Sequence, residues 1–343
     1  SDVDGTDFTT APQTITLTAG ELTMNDVTAI DGPVLPGRVT LDGNNTSRVL
    51  AVAVLADGSS LNRLTISGGN VTGSGGGIDS FADLTCTRCV VEINTASFAG
   101  AAIATHRGTF VLRNSVVRGN GANGGGGGGI DCNGGNLRVV GSTFTNNEGG
   151  NGGAIQMFNR PLVAINSTFS GNRARQSGGA INLAAGGPGS SSGVLNNLTI
   201  IGNRADSDQS GQADQVGGGI HVTAPSTCTI NNSIVAGNSR GDTVLSPSDI
   251  HGAVVATSNH NLIGVDTGLS GIMDGTAGNQ IGSSGSPLDP LLGPLADNGG
   301  FTQTHELLPG SPAINAGDPI FNPNAFMPPL AFDQRGPGFD RVA

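Results

Sequence analysis

The side chains in this chain that could do chemistry are few and scattered. Cys86 and Cys89 stand at C-x-x-C spacing, which elsewhere holds zinc or carries a redox reaction. Zinc needs a second pair nearby, and Cys132 and Cys228 are not spaced to supply it. Two readings stay open for the cysteines: small buried hydrophobes, or a local Cys86–Cys89 disulfide. Asp2, Asp4 and Asp7 present hard oxygen ligands at a spacing that suits Ca2+, with a solvated acidic tail as the plainer reading. Arg204, Asp206, Asp208 and Asp214 gather in one polar stretch and form the candidate recognition loop. The histidines at 106, 221, 251, 260 and 305 lack metal-ligand spacing, and His305 reads as structural. Six glycines at 124–129 resemble a phosphate-cradling loop, but no Lys follows and no helix opens. No catalytic residue, resident cofactor or metal centre is assigned from these patterns.

The elements that must position these residues come from a repeat. Gly75-Gly-Gly-Ile78, Gly100-Ala-Ala-Ile103, Gly127-Gly-Gly-Ile130, Gly152-Gly-Ala-Ile155, Gly178-Gly-Ala-Ile181 and Gly217-Gly-Gly-Ile220 are separated, Ile to Ile, by 25, 27, 25, 26 and 39 residues. Periods of this length mark solenoids, in which each repeat buries its apolar face against its neighbours. A second phrase keeps step, with Asn114-Ser-Val-Val-Arg-Gly-Asn120 and Asn166-Ser-Thr-Phe-Ser-Gly-Asn172 as examples and Arg63-Leu-Thr-Ile-Ser-Gly-Gly69 as a looser copy. Ahead of it runs an alternating stretch: Leu84 and Cys86, Phe110 and Leu112, Leu137 and Val139, Leu162 and Ala164, Cys228 and Ile230. Alternation over four to six residues reads as strand, and the glycine content penalises any helix.

Three short strands per repeat cannot form hairpins and keep this register, but each can pair in parallel with its equivalent one repeat later. The expected fold is all-β: a single-stranded right-handed parallel β-helix with three strands per coil and roughly nine or ten coils, about 45 Å long at the usual inter-strand spacing. Irregular caps are expected at both ends, with 1–45 as N-terminal cap and first coil, 46–264 as the β-helix and 265–343 as the C-terminal capping segment. Val91, Val117, Phe144, Phe169, Ile200 and Val235 should form one inward column and the block isoleucines another. Cys86, Cys132 and Cys228 fall at inward positions. The glycines suit tight corners. The recurring Asn120, Asn147, Asn172, Asn203 and Asn238 suit the same corners, since Asn tolerates left-handed backbone and its amides can ladder between coils.

Composition narrows the partners. The 343 residues include no Lys, Trp or Tyr and carry a net charge of −11. Nucleic acid binding needs a basic stripe and stacking platforms, so it is excluded. No apolar run is long enough to span a membrane as a helix. Ser at position 1 fits a processed or trimmed N-terminus.

The pairing of Gly152-Gly-Ala-Ile155 with Phe169-Ser-Gly-Asn172 resembles the repeats of polymorphic outer-membrane proteins, which are surface adhesins. The run Leu292-Gly-Pro-Leu-Ala-Asp-Asn-Gly-Gly-Phe-Thr-Gln-Thr-His-Glu-Leu-Leu-Pro-Gly-Ser-Pro-Ala-Ile-Asn-Ala-Gly-Asp318, followed by Asp333-Gln-Arg-Gly336, resembles the C-terminal module of bacterial choice-of-anchor Q proteins. Thr14-Ile-Thr-Leu-Thr-Ala-Gly-Glu-Leu-Thr23 and Ile30-Asp-Gly-Pro33 are similar to that family's first coil. The resemblance implies an exported, extracellular or cell-surface protein with an anchor beyond Ala343. It implies a location and a shape rather than a reaction.

Three functions are therefore expected, in descending order. The first is a non-catalytic secreted or surface adhesion rod that displays loops to surface glycans or to host or neighbour-cell proteins. The second is a subunit of an extracellular filament or coat associating end to end. The third is a polysaccharide lyase or glycoside hydrolase of β-helix type. Lyases use a Lys or Arg base and often bound Ca2+, and hydrolases need paired carboxylates on one face. Here Glu occurs only at 21, 92, 148 and 306, and the repeats carry no acidic cluster. Glu92 and Arg118 occupy equivalent outward positions and read as an exposed ion pair. The insertions 184–193 and 204–216 break the period and should project from one level of the rod.

Overall fold

A chain whose apolar residues recur at one height per repeat can bury them only by stacking repeats in register, and that is what the backbone does. A computed structural model describes residues 11–34, 38–208, 215–326 and 329–340; the Asp2, Asp4 and Asp7 spacing and Asp214 lie outside the described residues. The architecture is nearly all β, a solenoid-like stack of parallel strands in three sheets. One is a ten-stranded sheet whose buried column runs Leu50, Ile78, Ile103, Ile130, Ile155, Ile181, Ile220 and Ile250, with the exposed Leu22 in register at its end. A second carries the alternating stretch and the Asn-Ser-x-x phrase, which merge into continuous strands at Pro161–Ser170 and Ser192–Ile201. The third is an eight-stranded ladder of two-residue strands.

Val91, Val117, Phe144, Phe169, Ile200 and Val235 are consecutive register partners with no exposed surface. Phe144 and Phe169 stack with ring centroids 4.9 Å apart. All four cysteines are free and lie in the same core. Burial pushes the Cys86, Cys132 and Cys228 thiols up, Cys228 to about 12, which keeps them protonated and makes them poor nucleophiles.

The recurring asparagines do not take the left-handed backbone expected of them. That conformation falls one residue earlier, at Gly119, Asn146, Gly171, Gly202 and Gly237. The next residue is thereby turned inward, where its amide is fully buried and fully used. Asn147 Oδ1 accepts from Asn120 N and Nδ2 at 3.2 and 2.9 Å, while Asn147 N and Nδ2 donate to Asn172 Oδ1 at 3.1 and 2.9 Å. The second Nδ2 hydrogen goes to Val117 O, 2.9 Å away, across the repeat. The ladder runs unbroken from Gly69 N through Asn94, Asn120, Asn147, Asn172, Asn203 and Asn238 to Asp249 Oδ1. The block glycines work differently: Gly152 has φ +61, and a Cβ there would strike the Ile155 carbonyl.

Strands extend into both end segments, in 1–45 as expected of a first coil and in 265–343 beyond the expected end of the stack. Within 1–45, the strands Gln13–Thr16, Leu22–Met24, Ala29–Asp31 and Val39–Asp42 already pair in parallel with later repeats. At the other end, Leu269–Ser270 and Gln280–Ile281 continue the stack. The chain beyond them then turns back along the side of the rod as a strap. Thr143 Oγ1 donates to Gln303 O at 2.7 Å, Asn166 Nδ2 to Phe332 O at 3.0 Å, and Asp318 N to Asn232 Oδ1 at 2.7 Å. This explains why the strand Thr143–Thr145 is buried on both faces.

Asn172→Ala removes an amide that four neighbouring groups need (Asn147 N and Nδ2, Phe144 O and Asn203 Oδ1) and leaves buried donors unmet. Unfolding in denaturant should show a loss of about 3 kcal/mol or more, given the desolvation cost of each orphaned group; a loss under about 1 kcal/mol would contradict the ladder's energetic role. Asp249 yields a second expectation. Burial raises its carboxyl to about 6, against hydrogen bonds from Asn238 and Val265 that lower it. The native state then holds the proton more tightly than the unfolded chain, whose value is about 4. The stability contributed here is fully present below about pH 4 and is lost as pH rises through about 6. Asp249→Asn should flatten that slope in denaturation midpoints measured between those values, and an unchanged slope would assign it elsewhere.

Candidate functional site

Of the candidate recognition loop, Arg204, Asp206 and Asp208 lie among the described residues. Arg204 begins the two-residue strand Arg204–Ala205, paired with Arg173 on one side and Ser239 on the other. Its guanidinium reaches Asp242 of the next repeat, Nη2 to Oδ1 at 2.8 Å. Asp206 is nearly buried at a left-handed corner (φ +52), and Asp208 is exposed. The insertion 184–193 does not project as expected. It closes as a turn bridging Gly186 and Gly189, held down by Asn159 Nδ2 and Oδ1 at 2.9 Å each to the Gly186 backbone. Glu92 and Arg118 are register partners and form the expected surface ion pair. Among the described residues, no three His, Cys, Asp or Glu side chains converge on one point.

A site that no sequence pattern announced lies between the rod and the strap. The strap docks on the outward row Thr143 and Thr168 and on the corner that precedes it. Gln334 bridges the two, with Nε2 donating to Thr143 Oγ1 at 2.9 Å and Oε1 accepting from Thr168 Oγ1 at 2.7 Å. His305 is the second tie, its Nδ1 donating to Gly293 O at 2.7 Å and its Nε2 lying 3.1 Å from Ser170 Oγ. Its structural role at the strap replaces the capping role expected.

Several cavities open where strap and rod do not touch, and two of them have strongly polar or basic walls. One, about 460 Å³, is a polar groove lined by Asn166, Asn197, Thr199, Asn298 and Glu306. Asn197 Oδ1 is shut off from solvent without a hydrogen-bond partner. The other, about 330 Å³, lies toward the N-terminal repeats among Arg38, Arg63, Arg88, Phe301, Arg335 and Pro337. A groove of amides and hydroxyls offers paired donors and acceptors to a ligand rich in hydroxyl groups. The only sequence trace of this face is the polar Thr and Asn at outward positions of the second phrase, which a solvated strand would share.

No family model matches this chain, and no curated protein or solved structure matches it either.

Burial lowers the basicity of His305, with the Gly293 carbonyl partly offsetting it. Because the unfolded imidazole takes a proton near pH 6.5 and the docked one resists it, His305's contribution is complete above that value and is lost as pH falls below it. Amide exchange over residues 293–306, corrected for intrinsic rate, should accelerate at about pH 5 relative to neutral pH. His305→Gln should abolish the difference, and equal acceleration in the variant would show that the strap's acid response lies in another group.

Proposed function

We propose that this chain is a right-handed parallel β-helix of three strands per coil and roughly nine or ten coils, exported to the bacterial surface as a non-catalytic adhesion and structural rod whose strapped side receives surface glycans. The observation that carries this reading is the polar groove under the strap, where Asn197 holds an unmet buried acceptor beside the amides and hydroxyls of Asn166, Thr199 and Asn298. Sugars satisfy such groups through their own hydroxyls, and a groove fixed on a laddered scaffold spends little ordering entropy on binding. The resemblance of residues 292–318 to the choice-of-anchor Q module supports the surface location, and that module is the part of the chain that builds the strap. On this reading Ca2+ is not required.

A second reading, a filament or coat subunit, is favoured by the edge of Gln13–Thr16, which among the described residues pairs on one side only, with Val39–Asp42. Open strand edges template further pairing.

Asn197→Gly keeps the left-handed backbone (φ +56) and removes the amide. Thermal midpoints should stay within a few degrees, while retention on a glycan array or on source-organism cells falls by about tenfold, the value of one good hydrogen bond. Monodisperse particles in negative stain are expected. Unchanged retention in the variant, or release of unsaturated or reducing sugars from acidic polysaccharides, would overturn the reading. Concentration-dependent fibres would transfer it to the filament.

A further inference from the structure

The corner that precedes the second phrase has one conformation and, along most of the rod, one kind of residue. Register places Arg38, Arg63, Arg88, Asn114, Gly141, Asn166, Asn197 and Asn232 one above another. From Arg63 onward every one of them has φ between +46 and +62. Left-handed backbone is least costly for Gly and Asn and disfavoured for a long side chain. The column keeps to Asn and Gly from residue 114 to residue 232 and takes His260 (φ +51) one repeat further, but at two successive repeats it places a long side chain there, both times arginine. A costly choice made twice in the same way marks a candidate site.

The same column explains what the strap does. At two of its four asparagines the side chain bonds the strap backbone, Asn166 to Phe332 O and Asn232 to Asp318 N, while Asn114 lines the arginine cavity and Asn197 the polar groove. Where it carries Arg, the strap stands off and leaves the 330 Å³ cavity. Arg38 Nη2 is tied to Arg88 O at 2.7 Å, yet its Nε is buried without a partner and its guanidinium stands 5.3 Å from the Phe301 ring. Arg63 Nε holds Gly32 O at 2.9 Å, with Asp31 no closer than 4.0 Å. Arg88 is exposed, and among the described residues neither it nor Arg38 has a carboxylate partner. Arg335, from the strap, is held by Asp333 at 2.6 Å. The guanidinium groups of Arg38, Arg63, Arg88 and Arg335 thus outnumber the nearby carboxylates Asp31, Asp333 and Glu92, the last already paired with Arg118, in a chain of net charge −11. Pro33, Val34, Phe301 and Pro337 supply the apolar remainder of the wall.

We infer that this pocket binds a small organic oxyanion, its acidic group against Arg38, Arg63 and Arg88 and its body against Phe301 and Pro337. Guanidinium forks stacked at the inter-strand spacing of about 4.8 Å match the paired oxygens of a carboxylate or sulfate. A cavity of this size holds one sugar-sized ring. A free organic acid and the acidic residue of a glycan share this chemistry. The inference concerns one pocket and does not rest on the adhesion reading.

Isothermal titration of the full chain with D-glucuronate, D-galacturonate, trigalacturonate and inorganic sulfate tests it. The uronates should bind one to one, weaken as salt rises, and bind more tightly than sulfate, which lacks the apolar body. Trigalacturonate about tenfold tighter than galacturonate points to a glycan as the source, and equal affinity to the free acid. Arg63→Asn/Arg88→Asn restores the residue the column uses elsewhere. It should therefore keep or raise the thermal midpoint while weakening uronate binding by about tenfold or more. Retained binding in the double variant would overturn the inference. So would sulfate matching glucuronate, no binding by any probe, or a variant that loses stability with binding unchanged. Asn197→Gly, which acts on the neighbouring groove, should leave uronate titration unaltered, so failure here and failure of the adhesion reading remain distinguishable.

Discussion

The structure depends on one constraint: each repeat must offer its neighbour the same donors and acceptors at the same height. A parallel stack meets this for the backbone, but its corners leave buried polar groups that no strand can pair. The asparagine ladder resolves them. An amide is the one neutral side chain of that length that accepts twice through one oxygen and donates twice through one nitrogen. Each Asn therefore passes the same bonding pattern forward unchanged, and a column of six needs closing only at its ends. At one end a backbone N–H, from Gly69, starts it. At the other, Asp249 takes two bonds on Oδ1 and a third, from Val265 N, on Oδ2. A carboxylate suits a terminus because it accepts without having to donate onward.

That regularity decides what could be read from residues alone. The core columns were legible because a solenoid repeats the same demand once per repeat, every 25 to 27 residues from Ile78 to Ile181 and at longer intervals where the repeats carry insertions, so Val91 through Val235 and Ile78 through Ile220 announce themselves by type and spacing. The left-handed residue was displaced by one position in the expectation, because Gly and Asn serve both roles and the phrase ends in Gly-Asn. Only coordinates separate the residue that turns the chain from the one that fills the corner. The strap was not legible at all. Its bonds to Asn232, Ser170 and Ser142 join residues 86, 135 and 192 positions apart and follow no period. The arginine column was visible in Arg63-Leu-Thr-Ile and Arg88-Cys-Val-Val, aligned with Asn114 and Asn166, but an outward arginine carries no message until the corner's backbone and the strap above it are known.

The insertion at 204–216, of which 209–214 lie outside the described residues, shows how the stack carries a break in its period. Asn203 and Arg204 stay in the ladder before it, and Gly217 and Ile220 resume the block after it. Loop closure costs grow only slowly with length, so a stack pinned on both sides tolerates extra residues at little expense. Irregularity of length is therefore cheap in this fold, and cheap features are weak evidence of function. Irregularity of residue type at a fixed backbone conformation is costly, and it is that kind which marks the corner beside the strap.

The strap also changes the rod's physics. In a bare solenoid each repeat touches only its neighbours, so an end can fray without consequence for the middle. Here a segment near the C-terminus bonds the repeats around residues 141–170 and reaches those around residues 33–114 across the arginine cavity. Repeats that could open independently are bound into a larger cooperative unit, and the sites lie at the seam that binds them. A ligand seated between strap and rod touches both partners of a contact that spans many repeats. Its binding energy then acts on the stability of the stack as a whole, which a ligand on an outer face of one repeat cannot do.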